Sequence, residues 1–412
     1  MTAAVKKKAA VKKSTTGKKA ASKKAATKKV AAKKTSAKKP AKRLLKRPLN
    51  IGLIGSGWIS TVHYDSFKAV GDCQVIAQAD PDTAKHKEFI KERPIPNYYK
   101  THKGMLRRSD IDVVTVAVPN TLHAPLAKDA LLAGKHVIIE KPMCLTIADA
   151  EELIYLANKK GLVIGYAEEL CYTPKFSRMK QIADTGGIGD VYMVKQCEKH
   201  GGPYSPWFFT RAGAGGGILM DMGCHAIEFC RWFKNKKKVK YVTAHCNKFL
   251  HSFAEVEDHV ILTMEFDDGT LAQVESSWTL QGGMTSTAEA YGTKGVLYGD
   301  LLQDNGLKAF SQNGYLPMPN NQAQTCGEES VGWSTPDYEW LWNNGYPQEM
   351  KDFLTCIKEG GTPVESAADG LDVLEIMLAA YHSAGTGKKV ELPFRPDVEF
   401  PVDLWLNPRH DL

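Results

Sequence analysis

Acidic residues are absent from the first 48 positions, where 19 Lys or Arg stand. The rest of the chain reverses that balance, with 35 basic against 46 acidic residues and a net charge of −11. The overall +8 of this 412-residue chain therefore conceals a basic leader and an acidic folded part. Cysteine is sparse: there are nine, none before Cys73 and none in a C-x-x-C pair, which argues against a disulfide framework or a zinc ribbon and fits a reducing compartment. No apolar run reaches the roughly 18 residues of a membrane span, and Lys pairs stand where a signal peptide would need its apolar segment. A soluble, cytoplasmic protein is expected. His and Cys lack metal-ligand spacing and no G-x-S-x-G elbow occurs, so a metallohydrolase is disfavoured and no metal is expected.

With 43% apolar residues, the length exceeds what one core usually serves, and three regions are expected: a basic tail over 1–48, a first domain over 49–170 and a second over 171–412. From Lys18 the tail repeats every five residues as KKAAS, KKAAT, KKVAA, KKTSA and KKPAK. A five-residue step turns a helix by about 140° net, so the Lys pairs spiral round every face and make no amphipathic membrane helix. Such a tail is expected to be disordered alone and to condense on phosphate backbones without reading sequence, which would place the protein near the nucleoid. It resembles the Lys/Ala-rich tails of histone H1-like proteins, which implies nucleic-acid association. The alternative is a solubilising tail.

The first domain reads as alternating strand and helix. Asn50 to Ile54 is a short apolar run ending in Gly55-Ser56-Gly57-Trp58-Ile59-Ser60, followed by a helix through Val70. This is a strand, a glycine turn and a helix start: Gly55 permits the turn, and Gly57 lets the backbone approach a pyrophosphate at the helix N-terminus. Gly55, Gly57, Trp58 and Ile59 are the candidate contacts there, with Ser60 in place of the usual third Gly or Ala. A second strand, Gln74 to Ala79, ends at Asp80, 23 residues after Gly57, where a carboxylate can accept from both adenosine-ribose hydroxyls and so favours NAD over NADP. Ile111 to Val118 is apolar enough for a strand buried on both faces, opening into Pro119-Asn120-Thr121-Leu122-His123 at its carboxyl end. Helix Ala124–Ala133, strand Lys135–Ile139, helix Ile147–Lys160 and strand Leu162–Tyr166 complete a doubly wound parallel sheet of the Rossmann kind.

The stretch VAVPNTLHAPLAKDALLAGKHVIIEKP, at this distance from a glycine turn, resembles the Gfo/Idh/MocA family, named for glucose-fructose oxidoreductase and inositol dehydrogenase. The match centres on Glu140-Lys141-Pro142 and extends over about residues 49 to 300. The resemblance implies an NAD(P)-dependent oxidoreductase, with Lys141 catalytic and orienting the reacting oxygen, Glu140 at the nicotinamide ribose, and Pro119, Asn120 and His123 along the cofactor loop. In Gly215-Gly216-Gly217-Ile218-Leu219-Met220-Asp221-Met222-Gly223-Cys224-His225, a helix beginning near Ile218 would put Asp221 and His225 at i and i+4 on one face. A carboxylate so placed can hold one imidazole nitrogen and leave the other to exchange a proton. The family carries a catalytic His here, which makes His225 the expected general acid/base and Asp221 its partner or a substrate ligand. The chain departs from a common family pattern after Tyr166, reading Glu168-Glu169-Leu170-Cys171-Tyr172 where many members place Arg-Phe. Glu169 and Tyr172, together with His200, Trp207 and Arg211 of a following loop, are candidate sugar contacts.

Beyond residue 170 come strands of alternating character, Val191–Cys197, Tyr241–Lys248, His259–Phe266, Leu271–Trp278 and Thr287–Tyr291, with a hairpin turn at Asp267-Asp268-Gly269. This predicts an α+β second domain with an open, mainly antiparallel sheet. In the family such a sheet commonly supplies the interface of a homo-oligomer, here a dimer or tetramer. Residues 303–345 read as a long excursion, and helices Gln348–Glu359 and Ala367–Gly385 close the chain. The sequence supports a dehydrogenase of a sugar or cyclitol first. A glycoside-cleaving enzyme that oxidises its sugar transiently with NAD, and a non-catalytic NAD sensor tethered to nucleic acid, are the alternatives. For the tail, full-length protein should be retained on immobilised DNA at low salt and released as salt rises, whereas a chain starting at Lys46 should flow through; equal, salt-insensitive behaviour would exclude nucleic-acid binding by the tail.

Overall fold

The structure, a computed structural model, describes residues 47–302, 309–313, 331–334 and 339–411. The reading of the basic tail and most of the 303–345 excursion lie outside the described residues. Six parallel strands form the first sheet: β1 (Leu49–Ile54), β2 (Cys73–Ala79), β3 (Asn97–Tyr99), β4 (Val113–Val116), β5 (His136–Glu140) and β6 (Ile164–Ala167), in the order β3-β2-β1-β4-β5-β6. Val113 to Val116 is wholly buried, as a strand covered on both faces requires. The order reverses between β1 and β4, which opens a crevice at their carboxyl ends. At the mouth of that crevice Gly55 has φ +111, and a Cβ there would lie 2.1 Å from the Ala117 carbonyl oxygen, so the β1 turn passes too close to β4 for any side chain.

The second sheet is mixed but mostly antiparallel. It is built from β7 (Val191–Lys199), β8 (Val239–Asn247), β9 (His259–Phe266), β10 (Leu271–Ser277), β11 (Thr285–Gly292) and β12 (Gly295–Asp300), followed after the small ribbon β13 (Ala309–Ser311) and β14 (Gly332–Ser334) by β15 (Val390–Glu391). The order is β12-β11-β7-β10-β9-β8-β15. The Asp267-Asp268-Gly269 turn joins β9 to β10 as an antiparallel hairpin. β7 and β10, however, run parallel, with Lys199 beside Ser277, so the residues after both strands emerge at the same edge. One face of this sheet carries the long helix Ala367–Thr386, opened by a capping box in which Ser366 and Asp369 satisfy each other's backbone N–H groups.

Helix Thr83–Glu92 did not show in the sequence because only His86 and Phe89 are buried on it and five of its other residues are Lys or Glu. The late helix spans Tyr346–Thr355 rather than Gln348–Glu359, its last turn widening over Cys356–Gly360. That helix returns to the first sheet. Met350, Phe353, Leu354 and Ile357 join Leu49, Ile51, Leu53 and Phe67 in one apolar cluster. The Phe353 ring lies where a Cβ on Gly165 of β6 would sit, 2.7 Å away, so the ring lies directly on the strand. No described helix is long and apolar enough to cross a membrane. Phe353→Ala should destabilise the chain by about 3–5 kcal/mol, read as a lower urea midpoint with unchanged slope; a loss below about 1 kcal/mol would show that this helix is not part of the core.

Candidate functional site

The first half of the site is the turn after β1. Gly57 caps helix Trp58–Val70 with no side-chain hydrogen bond to the exposed N–H groups, and a Cβ built on it would meet nothing within 4 Å. The adjacent Ser56 hydroxyl is buried without a partner. An uncapped helix N-terminus, open space above a glycine and an unpaired donor together fit a dinucleotide pyrophosphate. Trp58 packs edge-on against Trp340 at 5.9 Å, beside the turn, and Ile59 is half-buried behind it. Asp80 follows the last residue of β2 and accepts from the backbone N–H of Asp82 at 2.7 Å, which fixes its carboxylate at the sheet edge.

The loop Pro119–His123 is held by its own side chains. Asn120 Nδ2 donates to the Ala214 carbonyl at 3.0 Å, and the buried His123 ring lies between the carbonyls of Pro142 at 2.7 Å and Val118 at 2.8 Å. These side chains fix the loop and face protein, so the loop would meet a cofactor through Pro119 and the backbone. At the end of β5, Glu140 is likewise occupied: its Oε1 pairs with His63 Nε2 at 2.7 Å and its Oε2 accepts from the Lys141 N–H at 3.2 Å. Burial would raise the Glu140 carboxyl, but His63, Lys141 and His123 outweigh it and hold it below the usual carboxylate range. His63 in turn reaches Thr115 of β4 at 2.6 Å, so β4, β5 and helix Trp58–Val70 are clamped beneath Lys141.

Lys141 Nζ donates to the Asp221 carbonyl at 2.8 Å and to its Oδ1 at 3.1 Å. Trp278 Nε1, just past β10, donates to the other carboxylate oxygen at 3.0 Å. His200, just past β7, accepts the Gly202 N–H on Nδ1 and turns Nε2 toward the same oxygen at 3.7 Å. Burial acts to lower the Lys141 ammonium, yet Asp221 and neighbouring carboxylates more than offset it and leave it above the ordinary lysine range. Burial acts to raise Asp221, and Lys141, His200 and Trp278 together hold it below the ordinary carboxylate range.

His225 lies in the same cluster but its partner differs from the expected one. Its Nδ1 is 2.8 Å from Glu168 Oε1 and 3.6 Å from Glu169 Oε2, and no hydrogen bond joins it to Asp221. The segment Leu219–Gly223 is a wide i→i+5 turn ahead of helix Cys224–Phe233, so four-residue spacing there lacks the angular offset of an α-helix. The turn is set from outside. Gly217 passes so close to Glu257 that a Cβ would lie 1.8 Å from the Glu257 carbonyl oxygen, and the Glu257 carboxylate accepts from the N–H groups of Gly217 and Leu219 and from Tyr381 Oη. Asp221 is thereby delivered to Lys141 and His225 to Glu168. Among the described residues nothing hydrogen-bonds His225 Nε2.

Of the candidate sugar contacts, Glu169 and His200 reach this cluster. Tyr172 does not: its hydroxyl bonds Asp352 at 2.8 Å and its ring packs on Phe353 within the core. Arg211 is turned away as well, paired with Asp403 and stacked over Phe400 at 4.2 Å. Trp207 stacks on Phe208 at 3.7 Å. The sequence reading missed Glu168 as the histidine partner, together with His63, Trp278 and the buried Glu198 and Glu349. Two buried groups bring ligand-type atoms within 4.8 Å of one another, Glu168/Cys224/His225 and Glu228/Glu365/Asp369. The second is matched by Arg231 and Lys236 and forms an ionic network. Asp221→Asn removes the charge that keeps Lys141 protonated, so the Lys141 pKa should fall and an alkaline loss of activity should enter the range below pH 10. A pH–rate profile with no such limb would refute that dependence.

The segment 49–168 matches the family model described as oxidoreductase family, NAD-binding Rossmann fold, and 176–298 matches the GFO/IDH/MocA C-terminal domain. The chain is 28% identical over 393 residues to levoglucosan dehydrogenase of Pseudarthrobacter phenanthrenivorans, covering 84% of this chain and 98% of the relative. It is 23% identical over 347 residues to myo-inositol 2-dehydrogenase of Thermotoga maritima, covering 84% and 98%. The crystal structure of GenD2 from gentamicin A biosynthesis in complex with NAD superposes with a TM-score of 0.79 at 30% identity, covering 86% of this chain and 98% of that one. With an NAD-binding Rossmann half, a mostly antiparallel second sheet and a lysine at the end of β5, this chain belongs to the Gfo/Idh/MocA family of oxidoreductases.

Proposed function

We propose that the chain is a cytoplasmic, homo-oligomeric dehydrogenase that oxidises a secondary hydroxyl of a sugar, cyclitol or related polyol with NAD. Residues 49–170 would hold the cofactor and 171–412 the substrate. The observation that carries this reading is the convergence of Lys141, held by Asp221, and His225, held by Glu168, at the carboxyl edge of the first sheet. NAD, when bound, accepts the hydride from the alcohol carbon. Gly55, Gly57, Trp58 and Ile59 would meet its pyrophosphate and Asp80 its adenosine ribose.

Oxidation of a hydroxyl requires removal of its proton as the hydride departs. With its Nδ1–H donated to Glu168, His225 keeps a lone pair on Nε2 and receives that proton. Burial, with Glu228 nearby, holds the Glu168 carboxyl well above the ordinary range, and its contact with Nδ1 orients the imidazole ring. Lys141, kept protonated by Asp221, donates a hydrogen bond to the reacting oxygen and stabilises negative charge on it in the transition state. Trp278 and His200 hold the second Asp221 oxygen, which stops the carboxylate from rotating away.

A panel of sugars, cyclitols and glycosides should be screened with NAD and NADP, following NADH absorbance and product together. The dehydrogenase forms NADH in step with product and prefers NAD. Product without net NADH would support transient oxidation and glycoside cleavage instead. His225→Ala and Lys141→Ala should each lower kcat by about 10²–10⁴-fold while NADH affinity, measured by calorimetry, stays within about threefold. Unchanged turnover in either variant would exclude that residue from the chemistry.

A further inference from the structure

The site holds more carboxyl groups than its basic side chains can match. Asp221 is paired with Lys141, while Glu140 and Glu168 are hydrogen-bonded by His63 and His225. Among the described residues Glu169, Glu198 and Glu349 have no basic side chain at hydrogen-bonding distance; for Glu169 the nearest is His225, at 3.6 Å and already bonded to Glu168. Glu198, at the end of β7, is 2% exposed, and its Oε2 has no partner. Its carboxyl hydrogen-bonds Ser286 and lies within electrostatic reach of His225, Glu169 and Glu168. Glu349, on the helix that returns to the first sheet, is 1% exposed; among the described residues its Oε1 has no partner, its carboxyl accepts from the Glu168 backbone, and Glu169 and Glu140 lie within electrostatic reach. Among the described residues Glu168 Oε2 is also without a partner.

Unmatched buried carboxyls are costly unless a cation arrives or a proton stays on. Burial pushes Glu169 above the ordinary range, with His225 and Lys141 opposing it and Glu168 and Glu140 adding to it; burial and then Glu169, Glu140 and Glu168 push Glu349 up; and burial pushes Glu198 up to about 7. Of the three, Glu169 keeps a side-chain exposure of 15%, so it is the one a ligand can touch. We propose that the preferred substrate carries a protonated amine, as an amino sugar or aminocyclitol does, and that Glu169 receives this ammonium with Glu198 and Glu349 behind it. The inference rests on the polyol-oxidation reading above and narrows its substrate class. An ammonium held by Glu169 lies near His225, so the amine sits close in the ring to the hydroxyl that is oxidised. A neutral polyol would bring no cation to the three carboxyls, which would then keep their protons.

The test compares matched probes: glucosamine with N-acetylglucosamine and glucose, and scyllo-inosamine with scyllo-inositol. In the wild type the free amine should exceed its neutral partners at least tenfold in kcat/KM, chiefly through KM. Within each variant the ratio of amine to neutral substrate is the readout. Glu169→Gln should collapse that ratio at least tenfold, and Glu198→Gln should lower it by a smaller factor, with retained NADH binding showing that each variant folds. Neutral probes equal to or better than amines in the wild type, or a ratio unchanged in both variants, would overturn the proposal. If no probe yields NADH, the oxidation reading fails, and titration of the same probes into NADH-loaded protein still decides the charge preference: tighter binding of the amines supports it and equal binding ends it.

Discussion

The ion pair between Lys141 and Asp221 is the contact on which the site depends, because it joins two sheets that share no strand. Lys141 belongs to the carboxyl edge of the first sheet, and Asp221 to the turn that the second sheet and the helix Ala367–Thr386 hold in place. A buried pair of this kind adds little net stability, since desolvation consumes most of the attraction, but it fixes geometry strongly because neither charge tolerates loss of the other. The remaining contacts can be understood as keeping that pair in register. Glu140 and His63 anchor the lysine from below, and Trp278 and His200 pin the carboxylate from the side.

Strand direction explains why those last two residues are available together. In a sheet of purely alternating strands the ends of β7 and β10 would point to opposite edges. Their parallel pairing places Lys199 beside Ser277, and the next residue of each chain segment, His200 and Trp278, projects to the same side. The antiparallel members on either side, β11 and β9, then complete the sheet.

Much of the dinucleotide half was legible because its signals are local: a glycine turn between an apolar run and a helix, a carboxylate at the end of β2, and unbroken apolar strands. Lys141, Asp221 and His225, which the structure brings into one cluster, were singled out in the sequence, the lysine and histidine through family resemblance and the aspartate through its spacing from the histidine. Their pairing was not. Asp221 and His225 suggested a dyad only if the turn between them was α-helical, and the widening of that turn is imposed by Glu257, 36 residues further on. Glu168 stood in plain view as a departure from a familiar pattern, yet nothing local says which histidine a buried glutamate will hold. Tyr172 and Arg211 show the converse: residue types suited to sugars were drawn off by Asp352 and Asp403, partners about 180 to 190 positions away.

The helix Tyr346–Thr355 sets an order on how the chain comes into being. β1 to β6 leave the ribosome well before Met350, Phe353 and Leu354, which share one apolar cluster with Leu49, Ile51 and Leu53, the Phe353 ring lying on β6 at Gly165. At about 5–20 residues per second the interval is roughly 10–40 s. During that time one apolar flank of the dinucleotide sheet has no permanent cover, and a nascent chain in that state offers a hydrophobic surface to chaperones and to its neighbours on the same message. The half of the protein made first is thus among the last to be sealed.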